Sequence, residues 1–163
     1  NEPPSKICKG GLHVCWSHLL LFNSCFHSLP FLHHRCLQTP PCLGSAMAIM
    51  LILNQQPYDG TDVTWNALRL ARQLNDDGAE VRIFLMNDSV DLARDGIEPP
   101  EGIEDMAAMR KDLIAKGVPV KVCGTCQSRC GVLKGQPYYE GAQFSTMAEC
   151  SAWVQDSEKV LTF

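Results

Sequence analysis

The chain has 163 residues, a formal charge of −4 and a hydrophobic share of 45%, which suits one domain with a normal core. That charge, with no basic cluster, argues against nucleic acid as the main partner, and no stretch reaches the length of a membrane span. Composition divides the chain at Met47. All five histidines (His13, His18, His27, His33, His34) and five of the nine cysteines (Cys8, Cys15, Cys25, Cys36, Cys42) precede it, whereas almost every acidic residue follows.

Residues 1–46 carry only Glu2, Lys6, Lys9 and Arg35 as charges and show no sustained period of two or 3.6. Their cysteine gaps match no paired-ligand spacing, and Leu19-Leu20-Leu21-Phe22 is a short apolar core for a secretory signal. They read as a non-domain N-terminal extension, not native or disordered, with Met47 the natural start of an α/β domain over 47–163.

From Met47 onward strand-like and helix-like segments alternate, which predicts a three-layer α/β domain with a central, mainly parallel sheet and helices on both faces. Ala48–Leu53 is a continuous apolar run, as expected of a strand covered on both sides. The loop from Asn54 to Asp62 ends where Thr61 or Asp62 can cap a helix. In that helix Val63, Ala67, Leu70, Ala71 and Leu74 recur at helical spacing, and Gly78 supplies a stop. Glu80–Met86 predicts a second strand, and Asn87-Asp88-Ser89 a cap with a short turn through Ala93. A longer helix follows with Ile103, Met106, Ala107, Met109, Leu113 and Ile114 as its apolar side, ending at Gly117. The third strand, Val118–Cys123, leads into Gly124-Thr125-Cys126. Further on, Ala142–Phe144 reads as a strand, Ser145-Thr146 as a cap for a helix through Trp153, and Lys159–Phe163 as a last strand.

Sites in such sheets lie outside the carboxyl ends of the strands, and Cys123 falls at one of them. A helix N-terminus just beyond it favours a thiolate, so a lowered thiol pKa is expected there. The loop after the first strand adds Tyr58 and Asp59 as candidate binding residues of the same crevice, and Lys121 and Arg129 stand near the thiol as possible positive charge. That loop has one glycine and no Walker lysine, so it is no phosphate cradle.

Three thiol chemistries stay open. Cys123 alone suits a nucleophile or sulfur carrier, and Cys123 with Cys126 has the spacing of a dithiol redox pair. Cys123, Cys126, Cys130 and Cys150 together would be needed for a metal, the weakest option because residues 47–163 contain no histidine. The same lack removes the usual base of a Ser-His-Asp or Cys-His hydrolase. Cys130 and Cys150 read more simply as inert small hydrophobes.

The order and spacing of Ala48–Leu53, Pro57-Tyr58, Leu68-Arg69-Leu70-Ala71, Phe84-Leu85-Met86, Val118–Cys123 with Thr125-Cys126, and Lys159–Phe163 resemble the DsrE/DsrF-like family, in particular its YchN-like branch. The resemblance covers residues 47–163. It implies ring-like homo-oligomers, often hexamers, and a sulfur-relay role in which the cysteine at the position of Cys123 takes up sulfane sulfur as a persulfide and passes it to a partner. Cys126 is shared with the YchN-like branch. The combined expectation is a cytoplasmic homo-oligomeric sulfur carrier or sulfurtransferase-like protein with sulfur donor and acceptor proteins as partners, without cofactor or metal. An oligomeric small-ligand-binding protein is the alternative from a different class, and a Cys123/Cys126 thiol-disulfide protein the third reading.

Overall fold

Five short strands, all parallel, form the sheet. In the computed structural model, which describes residues 46–163, β1 (Ala48–Leu53) pairs with β2 (Glu80–Leu85) on one side and β5 (Lys159–Thr162) on the other. β2 pairs with β3 (Val120–Cys123), and β3 with β4 (Gln143–Ser145), so the order is β4-β3-β2-β1-β5. The extension expected before Met47 lies outside the described residues, apart from Ala46.

The connections follow from that order. Helix α1 (Val63–Asp76) joins β1 to β2, and a 3₁₀ segment (Asn87–Ala93) with α2 (Met106–Ala115) joins β2 to β3. A short α3 (Gly124–Arg129) and a loop join β3 to β4, and α4 (Met147–Asp156) returns the chain to β5. The first three crossovers step in one direction across the sheet and the last runs back, so right-handedness places α4 on the opposite face. Contacts agree: Trp153 meets Phe84 edge-on at 6.3 Å, Asp156 pairs with Arg82 at 2.7 Å, and Glu149 reaches Lys121 at 3.5 Å. Three layers result, as the alternation predicted. The chain leaves β3 on the α2 side and β4 on the α4 side. The switch crevice therefore opens between the ends of these two strands, where Cys123 and Ser145 are register partners.

Most of the core lies between the sheet and α1 and α2. Leu51, Leu53, Val81, Ile83, Leu68, Ala71 and Leu113 are all buried, and each large aliphatic side chain removed from water is worth about 1.5–3 kcal/mol. The inward face of α1 is Thr64, Ala67, Leu68 and Ala71. Leu70 and Leu74 are only half-buried, while the Thr64 hydroxyl turns inward and donates to the Gln55 carbonyl at 2.9 Å. The cap of α1 differs from expectation too: Thr61 turns back onto Asp59, and Asp62 makes no side-chain cap bond. α2 starts later than predicted. Asp105 caps it by accepting from the Ala107 and Ala108 amides, so Ile103 falls in the preceding loop at 49% exposure. Ile114 is also exposed, and Arg110 takes an inward position instead.

Candidate thiol site

Cys123 ends β3 and is the residue from which α3 begins. Its backbone is extended, which turns the Thr125 and Cys126 amides of the first α3 turn toward the sulfur, and both pull the thiol pKa down. They do not prevail. Burial pushes the Cys123 thiol above its ordinary value, and the Cys126 thiol beside it pushes further. The expected lowering is thus reversed. At 4% exposure the loss of water around a thiolate outweighs the dipole of a helix only six residues long.

Cys126, a turn later, points back into the same pocket and is itself buried. Its sulfur accepts the Asn87 backbone amide at 3.3 Å. Asn87 opens the 3₁₀ segment two residues beyond β2 with φ +50, a left-handed backbone that asparagine tolerates better than most residues, and its side-chain amide donates to the Asn54 side chain at 3.0 Å. The carboxyl ends of β1, β2 and β3 therefore converge on the thiols through Asn54, Asn87 and Cys123. In the sequence Asn54 reads only as the start of a loop and Asn87 only as part of a cap, so neither is marked as a neighbour of the thiols.

A buried ionic clamp fixes the far end of α3. Arg94 is 5% exposed and donates to the Gln127 carbonyl at 2.9 Å and the Gln136 carbonyl at 2.7 Å, with its guanidinium 3.9 Å from the Tyr138 ring centroid. It thereby satisfies a carbonyl that the short helix leaves open. Asp91, fully buried, accepts the Val132 amide at 2.7 Å and the Leu133 amide at 3.1 Å, and Asp88 accepts the Gly131 amide at 2.7 Å. Asp91 and Arg94 face each other at 3.7 Å, with Oδ1 and Nε lacking hydrogen bonds. Gly131 has φ +81, and a Cβ there would clash with the Asp91 carboxylate, so only glycine lets the loop approach it.

Residues 47–163 match the DsrE/DsrF-like family. The chain belongs to this family. Protein YchN of Escherichia coli is 36% identical over 117 residues, covering 71% of this chain and 97% of that protein. An uncharacterised protein of Methanocaldococcus jannaschii is 36% identical over 117 residues, 72% of this chain and its whole length. The crystal structure of E. coli YchN superposes with a TM-score of 0.62 at 34% identity, over 72% of this chain and 99% of that one.

Within this DsrE/DsrF-like domain the other candidate residues are dispersed. Tyr58, at φ +62, accepts the Met106 amide on its hydroxyl at 2.8 Å; burial raises its pKa. It lines a cavity of about 450 Å³ with Trp65, Ile103 and Met106, and no cysteine lines that cavity. Asp59 is exposed and held by Thr61, whose hydroxyl and amide lower its pKa. Both therefore leave the expected shared crevice, because the loop folds against α2. Lys121 does share the α4 side of β3 with Cys123, but its ammonium is engaged by Glu149 and lies 4.6 Å from the Trp153 ring centroid. Arg129 is exposed and makes no ion pair among the described residues. Cys130 is half-buried, whereas Cys150 is buried at 5% exposure and has its pKa raised by burial and by Cys123. All four cysteines of the domain are free thiols. Among the described residues no group of His, Cys, Asp or Glu is arranged to hold a metal ion, and no helix is long and apolar enough to cross a membrane.

Proposed function

We propose that this chain is a sulfur carrier or sulfurtransferase-like subunit in which Cys123 accepts sulfane sulfur as a persulfide and hands it to a partner protein. The observation that carries the reading is Cys123 itself: a thiol closing a central strand at the switch crevice, with a second thiol beside it. Family membership supports it, since sulfur relay is the activity associated with this family. The thiolate of Cys123 attacks the outer sulfur of a donor persulfide; the donor's S–S bond breaks, its thiolate leaves, and the new S–S bond is on Cys123. Burial keeps the resting thiol protonated, so attack follows opening of the α4 cover rather than collision with any passing electrophile.

The carrier acts in this proposal as a cytoplasmic homo-oligomer, a hexamer by family resemblance. Val90, Leu92 and Met106, apolar residues on short helical segments, are core and so unavailable to a subunit contact. Among the exposed apolar side chains, Phe144, Met147, Val154 and Val160 gather on or beside α4 and the two edge strands, and this is the surface a second copy would cover. Light scattering at micromolar concentration checks it: a stable monomer contradicts the assembly.

A thiol-disulfide couple is the second reading, favoured by the contact between the Cys123 and Cys126 thiols. Intact mass after exposure to a sulfane-sulfur donor separates the two. For a carrier, Cys126→Ser gains a reducible adduct of one sulfur atom and Cys123→Ser does not. Loss of the adduct in both variants, with a dithiol-disulfide cycle in the wild type, favours the redox couple. No adduct and no cycle in the wild type leaves a ligand-binding module, with the cavity beside Tyr58 as its site.

A further inference from the structure

The carrier reading uses Cys123 and leaves a third buried thiol without a role. Of the ten residues of α4 only Cys150 is buried. The helix is otherwise an exposed cover with a half-buried Trp153. Its neighbours fix where that thiol lies. Alternation along a strand puts Lys121 and Cys123 on one face of β3, and Lys121 is engaged by Glu149 and Trp153, residues that flank Cys150 on α4. Ser145, the register partner of Cys123, stands two residues before α4 begins, and its hydroxyl bonds the Glu149 carboxylate at 2.5 Å. Cys150 is in the first turn and a half of this helix, with its amide bonded to the Thr146 carbonyl. Cys126 thus meets Cys123 from the α3 side, and Cys150 faces it from the α4 side, near enough for Cys123 to raise its pKa.

We propose that Cys150 is a resolving thiol that discharges an unclaimed persulfide from Cys123. The proposal rests on the carrier reading. Cys150 sulfur attacks Cys123 Sγ, the S–S bond of the persulfide breaks, and the outer sulfur leaves as hydrosulfide with the proton of Cys150. The product is a Cys123–Cys150 disulfide. The sulfane sulfur is reduced to sulfide, and the two cysteine sulfurs are oxidised, so no further oxidant enters. Burial shuts bulky external thiols out of the pocket, whereas Cys150 is already inside it at high effective concentration. The disulfide ties α4 to β3 and closes the cover over the emptied site. A dithiol reductant reopens it by exchange.

The test loads the full chain with inorganic polysulfide, removes the excess, and follows intact mass, released sulfide and non-reduced peptides with time. In the wild type the one-sulfur adduct decays as sulfide appears, and a peptide linking Cys123 to Cys150 accumulates. In Cys150→Ala and Cys150→Ser the adduct on Cys123 persists roughly tenfold longer or more, with no linked peptide. Equal decay in the wild type and both variants, or a disulfide confined to Cys123 and Cys126, overturns the role of Cys150 while leaving the carrier reading standing. If Cys123 gains no sulfur even in the Cys150 variants, the carrier reading fails and the resolving role with it.

Discussion

The two faces of the sheet are built to different standards. On one, α1, α2 and the 3₁₀ segment bury Leu68, Ala71, Val90, Leu92, Met109 and Leu113 against the strands, and a buried aspartate and two buried arginines are fastened to the backbone beneath them. On the other, α4 buries one cysteine and half-buries one tryptophan, and exposed ion pairs hold its flanks. Stability resides on the first face, and the thiol opens toward the second. A reactive group needs a cover that yields, and local opening free energies are lowest where apolar contacts are few.

Substitutions that weigh the two faces against each other test this division. Arg94→Leu strips a buried carboxylate of its partner and should cost about 3–5 kcal/mol in urea unfolding; a loss below about 1 kcal/mol would mean that the clamp is ornamental. Leu113→Ala on the same face should cost about 2–5 kcal/mol by cavity formation. Gly131→Ala forces a Cβ onto Asp91 at a positive φ, and a loss of about 1–3 kcal/mol is expected, with faster alkylation of Cys126 as the loop lets go.

Titration sharpens the comparison. Burial raises the folded-state pKa of Cys123 and Cys150, so the folded state holds these protons more tightly than the unfolded chain. Their contribution is fully present below the unfolded thiol value of about 8.5 and is lost as pH rises through the folded values. Unfolding midpoints should therefore fall above about pH 9, less so in the Cys123→Ser, Cys150→Ala double variant; half-buried Tyr58, Tyr138 and Tyr139 shift the same way and remain in both. An identical fall in both proteins would assign the effect to the tyrosines. Smallest of all, Val154→Ser on the exposed side of α4 should change monomer stability by no more than about 0.5 kcal/mol, yet weaken self-association measured by sedimentation.

Much of the architecture is legible in the chain. The run Ala48–Leu53 is a strand because residues covered on both faces must be apolar; Glu80–Leu85 and Val120–Cys123 keep that pattern except at Glu80, Arg82 and Lys121, and the strand-end position of Cys123 follows from it. Its environment does not. The direction of its pKa shift depends on α4 returning from the far edge to bury it, a fact that no local window contains. Asp91, Arg94 and Arg110 carry no mark in the sequence, since charge usually means solvent; only their backbone partners, up to 42 positions away, explain why they are inside. Tyr58 and Asp59 look like neighbours of the thiol from strand-end logic alone, but a loop goes where its side chains find partners, here the Met106 amide and Thr61.

The most direct measurement locates the sulfur. Wild-type chain is treated with a sulfane-sulfur donor, its persulfides are trapped by alkylation, and the modified residue is read from the peptide masses. Sulfur on Cys123, ahead of the less buried Cys130, is the result this account requires. Sulfur on Cys130 alone, or on no cysteine of the domain, would contradict it.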